Sequence, residues 1–319
     1  MADTRTTLDL TGLPLASPIG FMAALGLLRV LAQDHALPVA LSWRNGRAHL
    51  HGAPADQVRQ TLQRHMTGRA EALEFRFEVA GDDGARTAVQ HLRTLTPADF
   101  QAAAHACRHD ARALGFLAGY ATDAVVNDKG FIVRTRFDFT SGQQRMVDEF
   151  RKLAQALDPR SRRPRRPLAE RIDAALFGGA YEEQHTLGWD PAALMTHAHQ
   201  PAAPSDSTTP GQPMTVWLAI ESLPLHPVVP VSARRAETTG FGAGRAYVWP
   251  GWETPLTLPE VALLRARPVD TLNALPGVTS LWRAEVTSVG KYGFFRPAAR
   301  TPSVDPSAGG FARSESADE

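Results

Sequence analysis

The sequence predicts an α+β fold of mixed helices and antiparallel sheet, and two patterns near its start carry that prediction. Residues 17–32 are apolar on nearly every helical face, which is typical of a buried helix. Residues 39–51 alternate apolar and polar positions on both sides of Asn45-Gly46, a pair that favours a tight hairpin turn. An N-terminal buried helix plus a β-hairpin indicates helices packed on antiparallel sheet.

The predicted first helix carries its own start signal and a surface for close packing. Ser17 is a candidate N-cap, and Pro18 fits the first turn because its missing N–H would be unpaired there anyway. The small residues Ala23, Ala24 and Gly26 permit a neighbouring backbone to approach closely. We therefore expect Gly26 to lie in a tight, buried helix contact.

Further along the chain, the spacing of apolar residues separates helices from strands. Helical spacing predicts helices at 54–66, 97–120, 143–157, 168–177 and 259–266. Alternation or short apolar runs predict strands at 73–79, 131–139, 214–220, 245–249 and 280–289.

Composition along the chain predicts two lobes. Residues 1–195 form an N-terminal α+β lobe that carries a basic loop at 158–167, and residues 214–298 form a C-terminal β-rich lobe. The segment between them, 196–213, is rich in Pro, Ser and Thr and is typical of a linker. Residues 299–319 have the composition of a disordered tail.

Composition also excludes several classes of protein. The 319 residues are 43% hydrophobic, enough for one large core or two modest ones, and 34 basic residues balance 33 acidic ones. A dedicated DNA-binding domain usually has an obvious basic excess, so any basic surface must be local. Cys107 is the only cysteine, which excludes an intrachain disulfide and a cysteine zinc site. The single cysteine fits a reducing, cytoplasmic setting. We expect no membrane partner, because the longest apolar run is too short to span a bilayer.

The usual catalytic motifs are missing. Neither a phosphate-binding loop nor a nucleophile elbow occurs in the sequence, so we expect no enzyme activity, no cofactor, no metal and no catalytic residues. One alternative is a metal-dependent nuclease. His105 and His109 are four residues apart, which would place both on one helix face, and Asp110 follows them. No convincing second ligand motif accompanies them.

The strongest local charge is an arginine-rich loop with five arginines in seven positions. Proline interrupts and flanks this run, which excludes a regular helix or a central strand. Flexible arginines supply affinity for phosphates that does not depend on sequence, although a solvated loop without a partner stays open. The candidate contacts are Arg160, Arg162, Arg163, Arg165 and Arg166.

Two further places could meet a phosphate. Ser141, Gly142 and Gln143 end a predicted strand and open a predicted helix, where free N–H groups attract anions, although Ser141 or Thr140 could simply cap that helix. The nearby cations are Arg134, Arg136 and Arg145. The second place is a glycine-rich loop at 239–244, which lies between Arg234-Arg235 and Arg245 and could equally be an ordinary connection.

Several phrases, in this order along the chain, resemble one known family. They are ASPIGFMAALGLLRVL (16–31), SWR (42–44), FDFTSGQQRMV (137–147), ALFGGAY (175–181), LGWDP (187–191), LPLHPVVPV (223–231), TTGFG (238–242) and WPGWETPLTLPEV (249–261). The family is encoded in type I-G (formerly I-U) CRISPR loci and is described as an extension of the helicase-nuclease. The opening helix is also similar to the start of the large subunit of that subtype. The resemblance covers about residues 8 to 265.

The resemblance implies a role in antiviral interference. It implies a component or companion of a crRNA-guided complex, with effector-complex subunits, the helicase-nuclease, and crRNA or target DNA as partners. It carries over no catalytic residues. The sequence therefore favours a non-catalytic subunit that binds nucleic acid or couples the guided complex to the helicase-nuclease. A pure protein scaffold without nucleic-acid contact is the main alternative.

Overall fold

The protein has an α+β fold, as the sequence predicts. The computed structural model describes residues 6–76, 78–80, 86–88, 92–140, 145–161, 166–183, 186–192, 210–242, 245–289 and 292–301. Helices of eight or more residues in these ranges are Pro18–Arg29 (α1), Ala55–Met66 (α2), Pro97–Ala106 (α3), Ala111–Tyr120 (α4), Met146–Leu157 (α5), Leu168–Phe177 (α6), Pro213–Glu221 (α7) and Leu258–Arg265 (α8).

The strands form small antiparallel sheets. They are Thr7–Pro14 (β1), Ala40–Arg44 (β2), Arg47–His51 (β3), Glu78–Ala80 (β4), Arg86–Ala88 (β5), Ala121–Val126 (β6), Ile132–Arg134 (β7), Glu182–Glu183 (β8), Pro210–Gly211 (β9), Val228–Ser232 (β10), Arg235–Thr238 (β11), Ala246–Trp252 (β12), Leu256–Thr257 (β13), Val278–Val289 (β14), Tyr292–Phe295 (β15) and Ala299–Thr301 (β16). One four-stranded sheet has the order β1-β3-β2-β13, and a second joins β12, β14 and β15, with β16 also on β14.

The opening helix α1 lies at the centre of the core, and all twelve of its residues are buried. The Ser17 side chain accepts a hydrogen bond from the Gly20 N–H and so caps the helix as predicted. Helix α7 packs directly on α1, and a Cβ atom at Gly26 would overlap the Leu218 carbonyl of α7. The predicted close contact is confirmed, and it explains why glycine is needed at this position.

The hairpin is also confirmed, and it contacts a strand from the second half of the chain. Asn45 and Gly46 both have positive φ, at 50° and 73°, in the turn between β2 and β3. The indole of Trp252, in β12, donates a hydrogen bond of 2.8 Å to the Leu41 carbonyl of this hairpin. The segments before and after 196–213 share one hydrophobic cluster, so the predicted lobe boundary does not separate two cores.

The strand predicted at 214–220 is wrong, because these residues form helix α7. A short run that is apolar on every side fits a buried helix as well as a buried strand, so periodicity alone cannot separate the two. Pro213 stands in the first turn of the helix, where proline is favoured. Every residue of α7 is buried, which explains its uniformly apolar sequence.

Three other element predictions are corrected. The long helix predicted at 97–120 is two helices, because Asp110 accepts a hydrogen bond from the Ala113 N–H and starts α4 as a new helix. The strand predicted at 131–139 ends with Arg134, after which the chain turns. Within the segment predicted as a strand at 73–79, Leu73–Phe75 is a turn of 3-10 helix. The predicted linker lies mostly outside the described residues, and the predicted tail does so beyond residue 301.

Candidate nucleic-acid interface

A cleft of about 560 Å3 brings together residues from two distant parts of the chain. One wall is the turn that follows β7, and the other wall comes from residues around β11, β12 and β14. We call it the arginine cleft. It is lined by Arg134, Thr135, Arg136, Asp138, Phe139, Phe241, Arg245 and Val286.

Backbone hydrogen bonds fix the turn that carries the first wall. The Thr135 N–H donates to the Tyr120 carbonyl over 2.7 Å, which ties the turn to the end of α4. The Arg136 N–H donates to Thr238 Oγ1 over 2.8 Å, and the Phe241 N–H donates to the Thr238 carbonyl over 2.9 Å. Thr238 therefore holds the two walls of the cleft together.

The cleft has an excess of positive charge. Its described lining contains three arginines and one carboxylate, Asp138. Arg134 forms an ion pair with that carboxylate, and its Nε lies 3.2 Å from Asp138 Oδ2. Burial lowers the pKa of Arg134 more than Asp138 raises it, so this guanidinium lies in a partly desolvated environment.

The other two arginines of the cleft differ in their surroundings. The Arg136 guanidinium lies 5.9 Å from the centre of the Phe241 ring, and its Nη1 is 3.5 Å from the Gly242 carbonyl. Arg245 is exposed and forms no ion pair within the described ranges. The described lining of the cleft thus carries more positive than negative charge, which suits an anion.

A second cluster of charges lies inside the protein, and we call it the charge network. Helices α1, α2, α4 and α7 contribute to it, together with the short turns that follow α1 and α2. Its members are Arg29, Asp34, His65, Arg69, Glu74, Arg112 and Glu221. Sequence reasoning missed this network because its members are spread over almost 200 residues.

Glu221 is the centre of the charge network and is fully buried. Both of its carboxylate oxygens accept hydrogen bonds of 2.7 Å from Arg112, and Arg29 donates to the same carboxylate. His65 Nε2 lies 2.8 Å from Glu221 Oε1. Burial by itself would raise the pKa of the Glu221 carboxyl, but the charges of Arg112 and Arg29 outweigh burial and hold it well below its usual range.

The charge network contains a spacing that could hold a metal ion, but its surroundings do not fit one. Ligand atoms of Asp34, His65 and Glu221 lie within 4.8 Å of one another. A divalent cation at that point would lie beside the guanidinium groups of Arg29 and Arg112, which already occupy the Glu221 oxygens. The arrangement therefore serves to hold four helices together rather than to bind metal.

The residues of the nuclease alternative are not brought to a metal site in the described part of the chain. His105 lies in α3, whereas His109 lies in the turn before α4, so the two do not share one helix face; both are exposed. The Asp110 side chain caps α4. The described group of metal-type ligands in the charge network includes none of these three residues.

The predicted helix-end site is corrected. Helix α5 begins at Met146, with Arg145 as its N-cap residue, so it does not open at residue 143. Thr140 bonds the Asp138 carboxylate and does not cap the helix. Acidic residues Asp148 and Glu149 occupy the first turn, where they already complement the positive helix end. Ser141, Gly142 and Gln143 lie outside the described residues.

The other predicted contacts lie in several places. Arg160 is exposed and pairs with Asp158, and its hydrogen bond lowers the pKa of that carboxyl to about 2. Arg166 is partly exposed just before α6. Three other arginines lie outside the described residues: Arg162, Arg163 and Arg165. The Nη1 atom of Arg145 lies 3.6 Å from Asp148 Oδ2. Arg234 and Arg235 lie at the exposed end of the β10–β11 hairpin, and Arg235 faces Glu237. None of these residues lines the described part of the arginine cleft.

The comparisons with known proteins add no relative. No protein-family model matches the chain, and no curated protein is detectably similar to it. Within the described ranges, no helix is both long enough and apolar enough to cross a lipid bilayer.

Proposed function

We propose that this chain is a non-catalytic, cytoplasmic component of CRISPR interference that binds nucleic acid at the arginine cleft. The observation that carries the proposal is the charge of that cleft, where the described lining holds three arginines against one carboxylate. Guanidinium groups match the geometry of phosphate oxygens and remain charged at physiological pH. We expect a phosphate in the cleft to contact Arg136 and Arg245, which both line it.

The shape of the cleft, like its charge, supports phosphate binding. Arg136 is held in place by its contacts with Phe241 and Gly242, so less side-chain freedom is lost when it meets a ligand. Arg245 stands exposed on the opposite wall. Two cations that face one concave space can hold a single anion between them.

The CRISPR part of the proposal rests on the sequence resemblance alone. The family implies effector-complex subunits and the helicase-nuclease as protein partners, with crRNA or target DNA as the nucleic acid. The arginine-rich loop at 158–167 would add phosphate contacts that do not depend on sequence. Co-purification with the effector complex, with and without crRNA, tests this membership.

The scaffold alternative is favoured by one observation. Val229 and Val231 are 40% and 44% exposed, and both lie on β10, which pairs only with β11 among the described strands. Exposed valines of this kind suit a protein contact. If the chain is only a scaffold, Val229→Ser with Val231→Ser should abolish binding to the effector complex, and no arginine variant should change any affinity for nucleic acid.

The test of the proposed function is a binding measurement by fluorescence anisotropy with short DNA and RNA oligonucleotides. The double variant Arg136→Gln, Arg245→Gln should bind at least about tenfold more weakly than the unaltered chain, because two charge-assisted contacts are lost. Arg108→Gln is the matched control, since Arg108 is exposed in the turn after α3 and, within the described ranges, its side chain donates a hydrogen bond to the His105 carbonyl. Absence of any binding by the unaltered chain, or equal binding by all three proteins, would contradict the proposal.

A further inference from the structure

The arginine cleft combines cationic surface with aromatic and aliphatic surface. Phe139 is only partly buried and lines the cleft, together with Phe241 and Val286. The Phe139 ring meets Phe295 edge to face, with ring centres 5.0 Å apart, and packs against the Gly293 backbone. A partly exposed aromatic ring is thus held in a fixed position beside the arginines.

Phosphate binding alone does not require this aromatic surface. A double helix keeps its bases stacked inside and offers mainly phosphates and sugars to a surface without a reading helix or strand. A single strand exposes the faces of its bases, and aromatic side chains bind those faces by stacking. The cleft offers a partner for the base as well as for the phosphate.

The size of the cleft agrees with one nucleotide. Sites of about 300–1,000 Å3 usually enclose one small ligand, and the cleft measures about 560 Å3. A rigid duplex presents a convex surface that cannot place a base in such a space unless the base leaves the stack, which costs free energy. An unpaired nucleotide enters without that cost.

We propose that the arginine cleft selects single-stranded nucleic acid, with a phosphate at Arg136 and Arg245 and one unstacked base on Phe139. This proposal rests on the proposed function, because it names the form of nucleic acid that the same site takes. Phe139 is thereby the residue that distinguishes a single strand from a duplex.

The test compares a 12-nucleotide DNA strand, the same sequence as RNA, and the DNA duplex, each with the unaltered chain, Phe139→Leu and Phe139→Tyr. The single strands should bind the unaltered chain at least about tenfold more tightly than the duplex. Phe139→Leu should remove most of that preference and leave the salt dependence unchanged, because no phosphate contact is lost. Phe139→Tyr keeps the ring and should keep the preference. The two single-strand arms show whether the 2′-hydroxyl of RNA contributes.

Two results would overturn the inference. One is equal affinity for single strand and duplex in the unaltered chain, and this measurement needs no variant that could fail to fold. The other is a Phe139→Leu protein that keeps the full preference. In both cases the dependence on Arg136 and Arg245 would still support the proposed function, whereas failure of every oligonucleotide to bind would contradict the proposed function itself.

Discussion

The charge network and the arginine cleft each contain three arginines, but the number of carboxylates around those arginines differs between the two regions. In the network, Arg29, Arg69 and Arg112 each contact at least one carboxylate, and Glu221 is fully buried. In the cleft, Arg134 contacts Asp138, whereas Arg245 is exposed and forms no ion pair within the described ranges. The charges of the network are balanced inside the protein, whereas the described lining of the cleft holds three arginines against one carboxylate.

The difference teaches how to separate structural arginines from binding arginines. A buried guanidinium loses its hydration, so it requires carboxylate partners or the fold is destabilised. A partly exposed guanidinium keeps water as a partner and can exchange it for phosphate. Changes in the network should therefore reduce stability, whereas changes in the cleft should reduce binding with little effect on stability.

The largest loss of stability is expected from a change at the contact between α1 and α7, where the charge network forms. Gly26 lets α1 approach α7 so closely that Arg29 of one helix reaches Glu221 of the other. Gly26→Glu would force a charged side chain into this contact, at a cost of several kcal/mol. No soluble protein should be recovered on expression, whereas Ala102→Glu, which adds the same side chain at an exposed position of α3, is the control that should remain soluble. Normal solubility of Gly26→Glu would contradict the buried contact.

A smaller loss is expected when the central carboxylate is neutralised. Glu221→Gln leaves Arg29 and Arg112 with less compensating charge, and breaking a buried ion pair in this way costs about 3–5 kcal/mol. Urea unfolding measures the change in the free energy of unfolding. Glu253→Gln, at an exposed position, should change it by less than about 0.5 kcal/mol. Equal stabilities for the two variants would show that the network is dispensable.

Stability should also fall as the solution becomes acidic, because of the buried histidines. Burial lowers the pKa of His65 more than Glu221 raises it, and burial lowers the pKa of His226 well below its usual value. The folded state therefore favours neutral rings, so stability is full above the ordinary histidine pKa of about 6.5 and falls as the pH drops below it. Tm should decrease between pH 7 and pH 5, and His65→Gln should make that decrease smaller. A Tm that does not change over this range would contradict both assignments.

Changes in the arginine-rich loop test whether exposed arginines affect binding without affecting stability. Replacing Arg160, Arg162, Arg163, Arg165 and Arg166 with Gln should leave Tm almost unchanged, because Arg160 is exposed and belongs to no core. If the loop contacts phosphates, the slope of log affinity against log salt should flatten by roughly three or four units. An unchanged slope would leave the loop as a solvated connection and assign phosphate binding to the arginine cleft alone.

Local signals in the sequence predicted the local parts of this fold. The cap at Ser17, the turn at Asn45-Gly46 and most helices follow from short-range patterns that the structure confirms. Helix α7 could not be separated from a strand, because it is apolar on every side. The charge network could not be predicted, since Arg29 and Glu221 meet only through the packing of α1 on α7.

The candidate site was predicted only in part. The sequence points to Arg134 and Arg136 because they lie near a predicted helix end, whereas the structure places them in one cleft with Phe241 and Arg245. That pairing depends on a hydrogen bond from the Arg136 N–H to Thr238, about a hundred residues away in the chain. No spacing rule in a single sequence reports such a contact.

The most direct test of the central claim is the salt dependence of single-strand binding by Arg245→Gln. This residue is exposed, so its loss should leave Tm unchanged while removing one phosphate contact. The slope of log affinity against log salt should become less steep by about 0.7 for a single strand, and Arg108→Gln should keep the original slope. An unchanged slope for Arg245→Gln, or a loss of stability equal to that of Glu221→Gln, would contradict the claim that the cleft holds its positive charge for nucleic acid.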